Sequence, residues 1–154
     1  MSNLGYVTRD AQGEDILHIA SVICPMDHKE LYTASGLTPQ AALWSGWQNS
    51  VRCRVGCYNG APQVMYGVVP EGPIGWVWLA GASLVPHARF FLGVIDQELS
   101  LIAGDCSHLT NYMDTRQLVH RKLLERKGFV FDETDVRINR GVPFVRFIRR
   151  MHNV

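Results

Sequence analysis

The stretch that decides the fold runs Asn111-Tyr-Met-Asp-Thr-Arg-Gln-Leu-Val-His-Arg-Lys-Leu-Leu-Glu-Arg-Lys-Gly-Phe129. Leu109 to Met113 reads as a strand leading into it. Asp114 or Thr115 can cap a helix, because either side-chain oxygen can accept a first-turn N–H. Val119 and Leu123 repeat at i and i+4, with Leu118 and Leu124 beside them, which makes one apolar stripe over residues 115–127. Gly128 follows where a left-handed stop is expected. Phe129-Val130-Phe131 then restarts the chain as a strand.

Towards the N-terminus the pattern is equally readable. Tyr6-Val7-Thr8-Arg9 is a short strand, and Asp10 is expected to open a helix through Ile16, Ile19 and Ile23 that Pro25 ends. A second short helix spans Asp27 to Gly36. Thr38-Pro39 is a cap followed by Pro at the first helical position, opening a third helix with Leu43, Trp44 and Trp47. Val51 to Tyr58 alternates apolar residues against Arg52, Arg54 and Gly56, the period of a half-buried strand. Asn59-Gly60 signals a tight hairpin, and Gln63 to Val69 is the return strand. Pro70-Glu71-Gly72-Pro73 breaks it. Ile74 to Ala80 is almost wholly apolar, as expected of a central strand covered on both faces. Pro86 begins a helix with Phe91, Ile95, Leu99 and Ile102 along one side, ended at Gly104-Asp105. After Phe131, residues 132–141 read as polar with a turn at Asn139-Arg140-Gly141, and Val142 to Ile148 closes the sheet. The order βααα-ββ-β-α-β-α-β-β implies an α/β (α+β) fold, a central mixed sheet with helices on both faces, in a single domain of residues 1–154.

Composition narrows the function classes. The chain has 154 residues and a formal charge of +1, which gives no whole-protein electrostatic argument for nucleic acid or acidic lipid. No apolar run approaches the roughly 20 residues that span a bilayer, and Met1 to Tyr6 lacks the pattern of a signal peptide. The expectation is a cytoplasmic protein. The four cysteines, Cys24, Cys53, Cys57 and Cys106, include no Cys-x-x-Cys pair, so neither a zinc ribbon nor a redox motif is indicated. Cys53 and Cys57 share a strand face with Val51 and Val55 and read as core. His18, Cys24 and His28 are three scattered residues without a fourth ligand, so no metal is expected.

The central stretch resembles the C-terminal motif of the GCN5-related N-acetyltransferases (GNAT superfamily), which reads Val-Asp-Ala-x-Asn, a helix, then Gly-Phe. Met113-Asp114-Thr115-Arg116-Gln117 and Gly128-Phe129 fall in register with it. More narrowly, it looks like a tailed-phage branch that includes acetyltransferases and internal virion protein A. There, Asn-Tyr-x-Asp precedes the helix and a Pro-Phe-x-x-Phe strand closes the chain, as Val142-Pro143-Phe144-Val145-Arg146-Phe147 does here. The resemblance covers Ile74 to Phe147, about half the chain. It departs at two positions. Gln117 stands where the family usually has Asn, and Leu124 stands where many members have the Tyr that protonates the leaving CoA thiolate.

The resemblance implies transfer of an acetyl group from acetyl-CoA to a primary amine by direct attack, with the acceptor on a host protein if the phage branch is the right one. It implies that the central strand splays from its neighbour, that Leu79 and Ala80 offer backbone to the pantetheine amides, and that the pyrophosphate meets the next helix N-terminus. The usual glycine-rich loop is replaced by Ser83-Leu84-Val85-Pro86-His87-Ala88-Arg89. The backbone of His87, Ala88 and Arg89 is expected at the phosphate, with the Arg89 guanidinium supplying charge. Gln117 and Arg121 join the cofactor set. The basic face of Arg116, Arg121, Lys122, Arg126 and Lys127 meets the 3′-phosphate on one reading and is a solvated face with an Arg121–Glu125 pair on the other. It lacks the interleaved aromatics of a nucleic-acid site.

A general base needs a pKa near the working pH. His28, His87, His108, Glu71 and Asp114 are the candidates. His108 lies at the wrong end of its strand, and Glu71 precedes the central one. Asp114, at a strand's C-terminal end, and His28, on the acceptor wall, remain as the catalytic candidates. Trp76 and Trp78 share a strand face and suit the acceptor slot. The alternative is non-enzymatic: a phage virion, assembly or host-factor-binding protein on the same fold, favoured by the missing glycines, Gln117 and Leu124. A CoA-binding module without turnover is a third reading. If Val142 to Ile148 ends the sheet, its free edge suits pairing with a copy of the chain as a homodimer.

Overall fold

The computed structural model describes residues 5–151. The elements follow in the order β1 (Tyr6–Asp10), α1 (Gly13–Val22), α2 (Pro25–Ser35), α3 (Pro39–Asn49), β2 (Cys53–Tyr58), β3 (Ala61–Glu71), β4 (Ile74–Gly81), α4 (Ala88–Ala103), β5 (His108–Asp114), α5 (Leu118–Arg126), β6 (Val130–Asn139) and β7 (Val142–Arg150). One seven-stranded sheet has the order β1-β2-β3-β4-β5-β7-β6. All neighbours are antiparallel except β4 and β5. The mixed sheet with helices on both faces is thus the architecture the sequence implies.

The two faces carry separate cores. On one, Ile16, Ile19 and Leu43 of α1 and α3 pack on Cys53, Val55, Cys57 and Met65, with Leu31 of α2 beside them. On the other, Phe91, Leu99 and Ile102 of α4 pack on Val64, Tyr66, Val68 and Leu109, joined by Leu123 and Leu124 of α5. Cys53, Cys57 and Cys106 are buried. Close approach fixes α3 on the sheet: a Cβ on Gly46 would stand 2.7 Å from the Trp78 ring, and only glycine leaves that room. The Asn59-Gly60 hairpin turn forms with φ of 52° and 82°, the positive pair such a turn demands.

Several boundaries differ from the sequence reading, each for a physical reason. Asp10 ends β1 rather than opening a helix, because its carboxylate pairs with Arg52 at 2.7 Å and Arg54 at 3.1 Å. The α1 cap is Gln12, in a reciprocal box with Asp15. Strand β3 continues through Pro70 and Glu71; its ladder to β2 stops at Gly67, so the missing Pro70 N–H faces no neighbour strand on that side. Strand β2 is covered on both faces, because Arg54 is buried in a pair with Glu98. Neither Asp114 nor Thr115 is the cap of α5. That position is Gln117, which makes no side-chain cap bond, because Asp114 is occupied by Arg116. The first turn of α5 stands clear of the sheet, leaving Leu118 and Val119 exposed. Residues 132–139 are not loop but the rest of β6, with a bulge between Asp132 and Val136. Finally, β7 lies between β5 and β6, so the sheet's edge is β6 and not Val142–Ile148.

Candidate functional site

Among the described residues the only parallel pair, β4 with β5, is also where the sheet opens. Strands β4 and β5 pair over three residues, Ile74 with His108, Gly75 with Leu109 and Trp76 with Thr110, and no further. At the vertex the Asn111 Nδ2 donates to the Val77 carbonyl at 2.7 Å, a side chain filling the place of the next ladder bond. Beyond it the strands diverge. Because backbone polar groups alternate along a strand, Leu79 turns its N–H and C=O to the same side as Val77, into the gap. Ala80 turns its own towards β3, opposite Met65.

A cavity of about 210 Å³ occupies the opening and reaches both sheet faces. On one side it meets Glu30, Leu31 and Ala34 of α2 with Trp78 and Tyr112; on the other it runs under α4 and α5. Helix α2 lies across the C-terminal ends of the splayed strands and holds both with carboxylates. Asp27 Oδ2 accepts the Gly81 N–H at 3.0 Å, at the end of β4. Glu30 Oε2 accepts the Asp114 N–H at 2.9 Å, at the end of β5. The Gln117 amide ties the two together, donating to Asp27 at 2.6 Å and Glu30 at 3.3 Å. The largely buried His120 stands 3.8 Å from Asp27.

Electrostatics separate these groups. Burial pushes the Glu30 carboxyl up, and the nearby Asp27 and Asp114 add to it against the bonds from Asp114 N–H and Gln117, to about 7. A carboxyl in that range is poised for proton transfer at neutral pH. For Asp114 burial acts in the same direction, but the Arg116 bonds outweigh it and hold the group below the usual carboxylate range. Burial pulls the His120 imidazole down despite Asp27, favouring its neutral form.

The residues singled out from sequence fall in different places. Asp114 is fully buried and chelated by Arg116 at 2.5 Å. His28 is exposed on α2, while Glu30, two residues on, faces the cavity. The His87 N–H is used by the Leu84 carbonyl at 2.9 Å in a 3-10 turn, Val85–His87. Its ring meets the Tyr6 hydroxyl at 2.6 Å. Ala88 and Arg89 form the first turn of α4, where N–H groups lack intrahelical partners and the helix dipole favours an anion. Arg89 is exposed and has no ion pair among the described residues. Gln117 is buried against α2. Arg121 pairs with Glu133 and, at 3.6 Å, with Glu125, and covers the Phe131 ring at 4.4 Å. Trp76 stacks on Tyr112, and Trp78 donates to Ser50 at 2.8 Å. Among the described residues, no group of three or more His, Cys, Asp or Glu side chains is placed to hold a metal, and no helix is long and apolar enough to cross a membrane.

Sequence reading missed Asp27 and Glu30. The available signal was their i, i+3 spacing, which puts two carboxylates on one helix face.

A sheet that opens at its parallel pair, with helices on both faces, matches the acyl-CoA N-acyltransferase fold of solved GNAT-type acetyltransferases. Three solved structures make the likeness concrete. A GCN5-related N-acetyltransferase from Kribbella flavida matches with a TM-score of 0.67 at 16% identity, over 96% of this chain and 99% of its own. Ard1 from Thermoplasma volcanium matches with a TM-score of 0.71 at 13% identity, over 97% and 99%. The diaminobutyrate acetyltransferase EctA from Paenibacillus lautus, solved with L-2,4-diaminobutyric acid and coenzyme A, matches with a TM-score of 0.66 at 10% identity, over 97% and 98%. No protein-family model matches the chain, and no curated protein matches it in sequence.

Proposed function

We propose that the chain is an N-acyltransferase that moves an acyl group from a CoA thioester, with acetyl-CoA the reference donor, to a primary amine by direct attack. The observation that carries this reading is Glu30, a carboxyl with a pKa of about 7 at a cavity between diverging strands. The thioester arm lies in the opening against the Leu79 backbone, much as an extended peptide adds to a strand edge. The first turn of α4, with Arg89, takes the pyrophosphate.

Glu30 removes a proton from the incoming ammonium, directly or through one water. The amine nitrogen then attacks the thioester carbon, the C–N bond forms and the C–S bond breaks. CoA leaves as a thiolate, and the second proton that the nitrogen loses as the amide forms passes to it through water, while Glu30 returns the first to solvent. An ordinary thiol has a pKa of about 8.5, so the thiolate leaves without strong acid assistance, and Leu124 in the place of a hydroxyl is compatible with turnover. Trp78 and Tyr112 wall the acceptor side, with Trp76 stacked on Tyr112. A host-protein amine as acceptor, a phage setting and a cytoplasmic site of action rest on the sequence resemblance alone.

The test is release of CoA thiol from acetyl-CoA with spermidine, a lysine peptide and a peptide with a free N-terminus. Amine-dependent release supports the reading, and no release with any amine overturns it. One observation favours the second reading, a non-catalytic assembly or host-binding protein on this fold. The turn before α4 has no glycine, and its His87 N–H is already bonded. Absence of acetyl-CoA binding would leave that reading standing.

A further inference from the structure

Among the described residues, the titratable side chains that line the cavity are Glu30, Tyr66, Glu98, Tyr112 and His120. Tyr66 donates to Glu98 at 2.5 Å, and Glu98 also holds Arg54 at 2.7 Å. Tyr112 donates to Asp135 at 2.9 Å. These three are committed to structure, which leaves Glu30 and His120. The His120 side chain is 12% exposed, and its Nε2 stands 3.8 Å from Asp27 Oδ1, too far for a hydrogen bond. Among the described residues the ring makes no hydrogen bond, although buried polar groups nearly always find a partner. The other side chains that α5 gives the cavity, Leu123 and Leu124, cannot move a proton. One turn before His120, Gln117 bonds both Asp27 and Glu30, so the start of α5 is fixed against the base.

We propose that His120 is a second proton carrier in the transfer, taking the second proton from the attacking nitrogen and giving it to the departing sulfur. This rests on the acyl-transfer reading and gives the proton that passes through water a carrier of its own. Glu30 takes the first proton before attack. Once the C–N bond has formed, the nitrogen must lose another, or the adduct falls back to the amine. A neutral imidazole nitrogen takes it; as the C–S bond breaks, the imidazolium passes it to sulfur and is neutral again. Burial favours the neutral starting form. The Asp27 carboxylate beside the ring favours the brief cation. An imidazolium of ordinary pKa, about 6.5, gives its proton downhill to a thiolate whose acid lies at about 8.5.

The experiment is steady-state acetyl transfer by the full chain and by His120→Ala and His120→Gln, with the amine that the unmodified protein accepts. Both variants should lose about 10²-fold in kcat, with the KM for acetyl-CoA little changed. Imidazole added to His120→Ala should restore part of the rate. Pyrrole, a ring of the same shape without a basic nitrogen, should not. His120→Gln fills the space of the ring and gives the kcat comparison if the alanine variant does not fold. A kcat within about tenfold of the unmodified value, below what a proton carrier contributes, overturns the proposal and leaves acyl transfer intact. So does a loss that imidazole restores no better than pyrrole. If the unmodified protein releases no CoA with any amine, both fall.

Discussion

Glu30 Oε2 accepts the backbone N–H of Asp114 at 2.9 Å, joining residues 84 apart in sequence. That bond sets a helix from the N-terminal third against the end of the parallel strand pair. It aims a carboxyl at the cavity and keeps it from ordinary solvation. The functional account depends on this placement more than on any sequence motif.

Glu30→Gln keeps an oxygen to accept the Asp114 N–H but removes the base. Amine acylation should fall by about 10²- to 10⁴-fold, with acetyl-CoA affinity little changed. Steady-state kinetics with parallel calorimetry checks this. A fall in kcat below tenfold would remove Glu30 from the mechanism.

The same group gives two pH signatures. Activity should rise through about pH 7 as Glu30 ionises. Stability should run the other way. The folded pKa, about 7, lies above the ordinary value of 4.5, so between these values the folded state binds more protons than the unfolded one. The contribution is fully present below about 4.5 and is lost as pH rises through about 7, up to about 3 kcal/mol. Glu30→Gln should therefore melt higher than the unmodified protein at pH 8, with the difference vanishing near pH 4. Thermal melts across that range test the sign.

Asp27→Ala leaves the Gly81 N–H without its acceptor and the Gln117 amide with only its longer bond to Glu30. Unsatisfied buried groups cost about 1–3 kcal/mol each, so a loss of roughly 3 kcal/mol is expected in urea unfolding. Asp27→Asn, which keeps an acceptor oxygen, should recover part of it.

Much of the fold was legible because it is written in local periodicity. The α4 stripe of Phe91, Ile95, Leu99 and Ile102, the Thr38-Pro39 start, the Asn59-Gly60 turn and the apolar run at Ile74–Ala80 each depend on neighbours in sequence. The order of strands followed from them. What was not legible depends on partners far along the chain. Asp10 looks like a helix opener until Arg52 and Arg54 are brought beside it. Asp114 looks like a cap until Arg116 takes both its oxygens. Glu30 looks like a surface residue beside a more conspicuous His28. Only its contacts to Asp114 and Gln117 distinguish it. The place of β7 inside the sheet is likewise a tertiary fact, since both closing strands have similar patterns.

Arg54 and Glu98 form a buried pair at 2.7 Å. Glu98→Leu leaves the buried Arg54 guanidinium with only the exposed Asp10 and the Thr8 hydroxyl, and removing the buried partner of such a pair costs up to about 3–5 kcal/mol. The double change Arg54→Met with Glu98→Leu should recover most of it. A double-mutant cycle in denaturant measures the difference.

The central claim is that the gap between β4 and β5 holds an acyl-CoA with its pyrophosphate at the start of α4. Calorimetric titration with acetyl-CoA, on the unmodified protein and on Arg89→Ala, tests it most directly. The account predicts saturable binding that weakens in Arg89→Ala, because a charge-assisted contact to the pyrophosphate is lost. No binding at millimolar acetyl-CoA would contradict it and leave the fold serving an assembly or host-binding role.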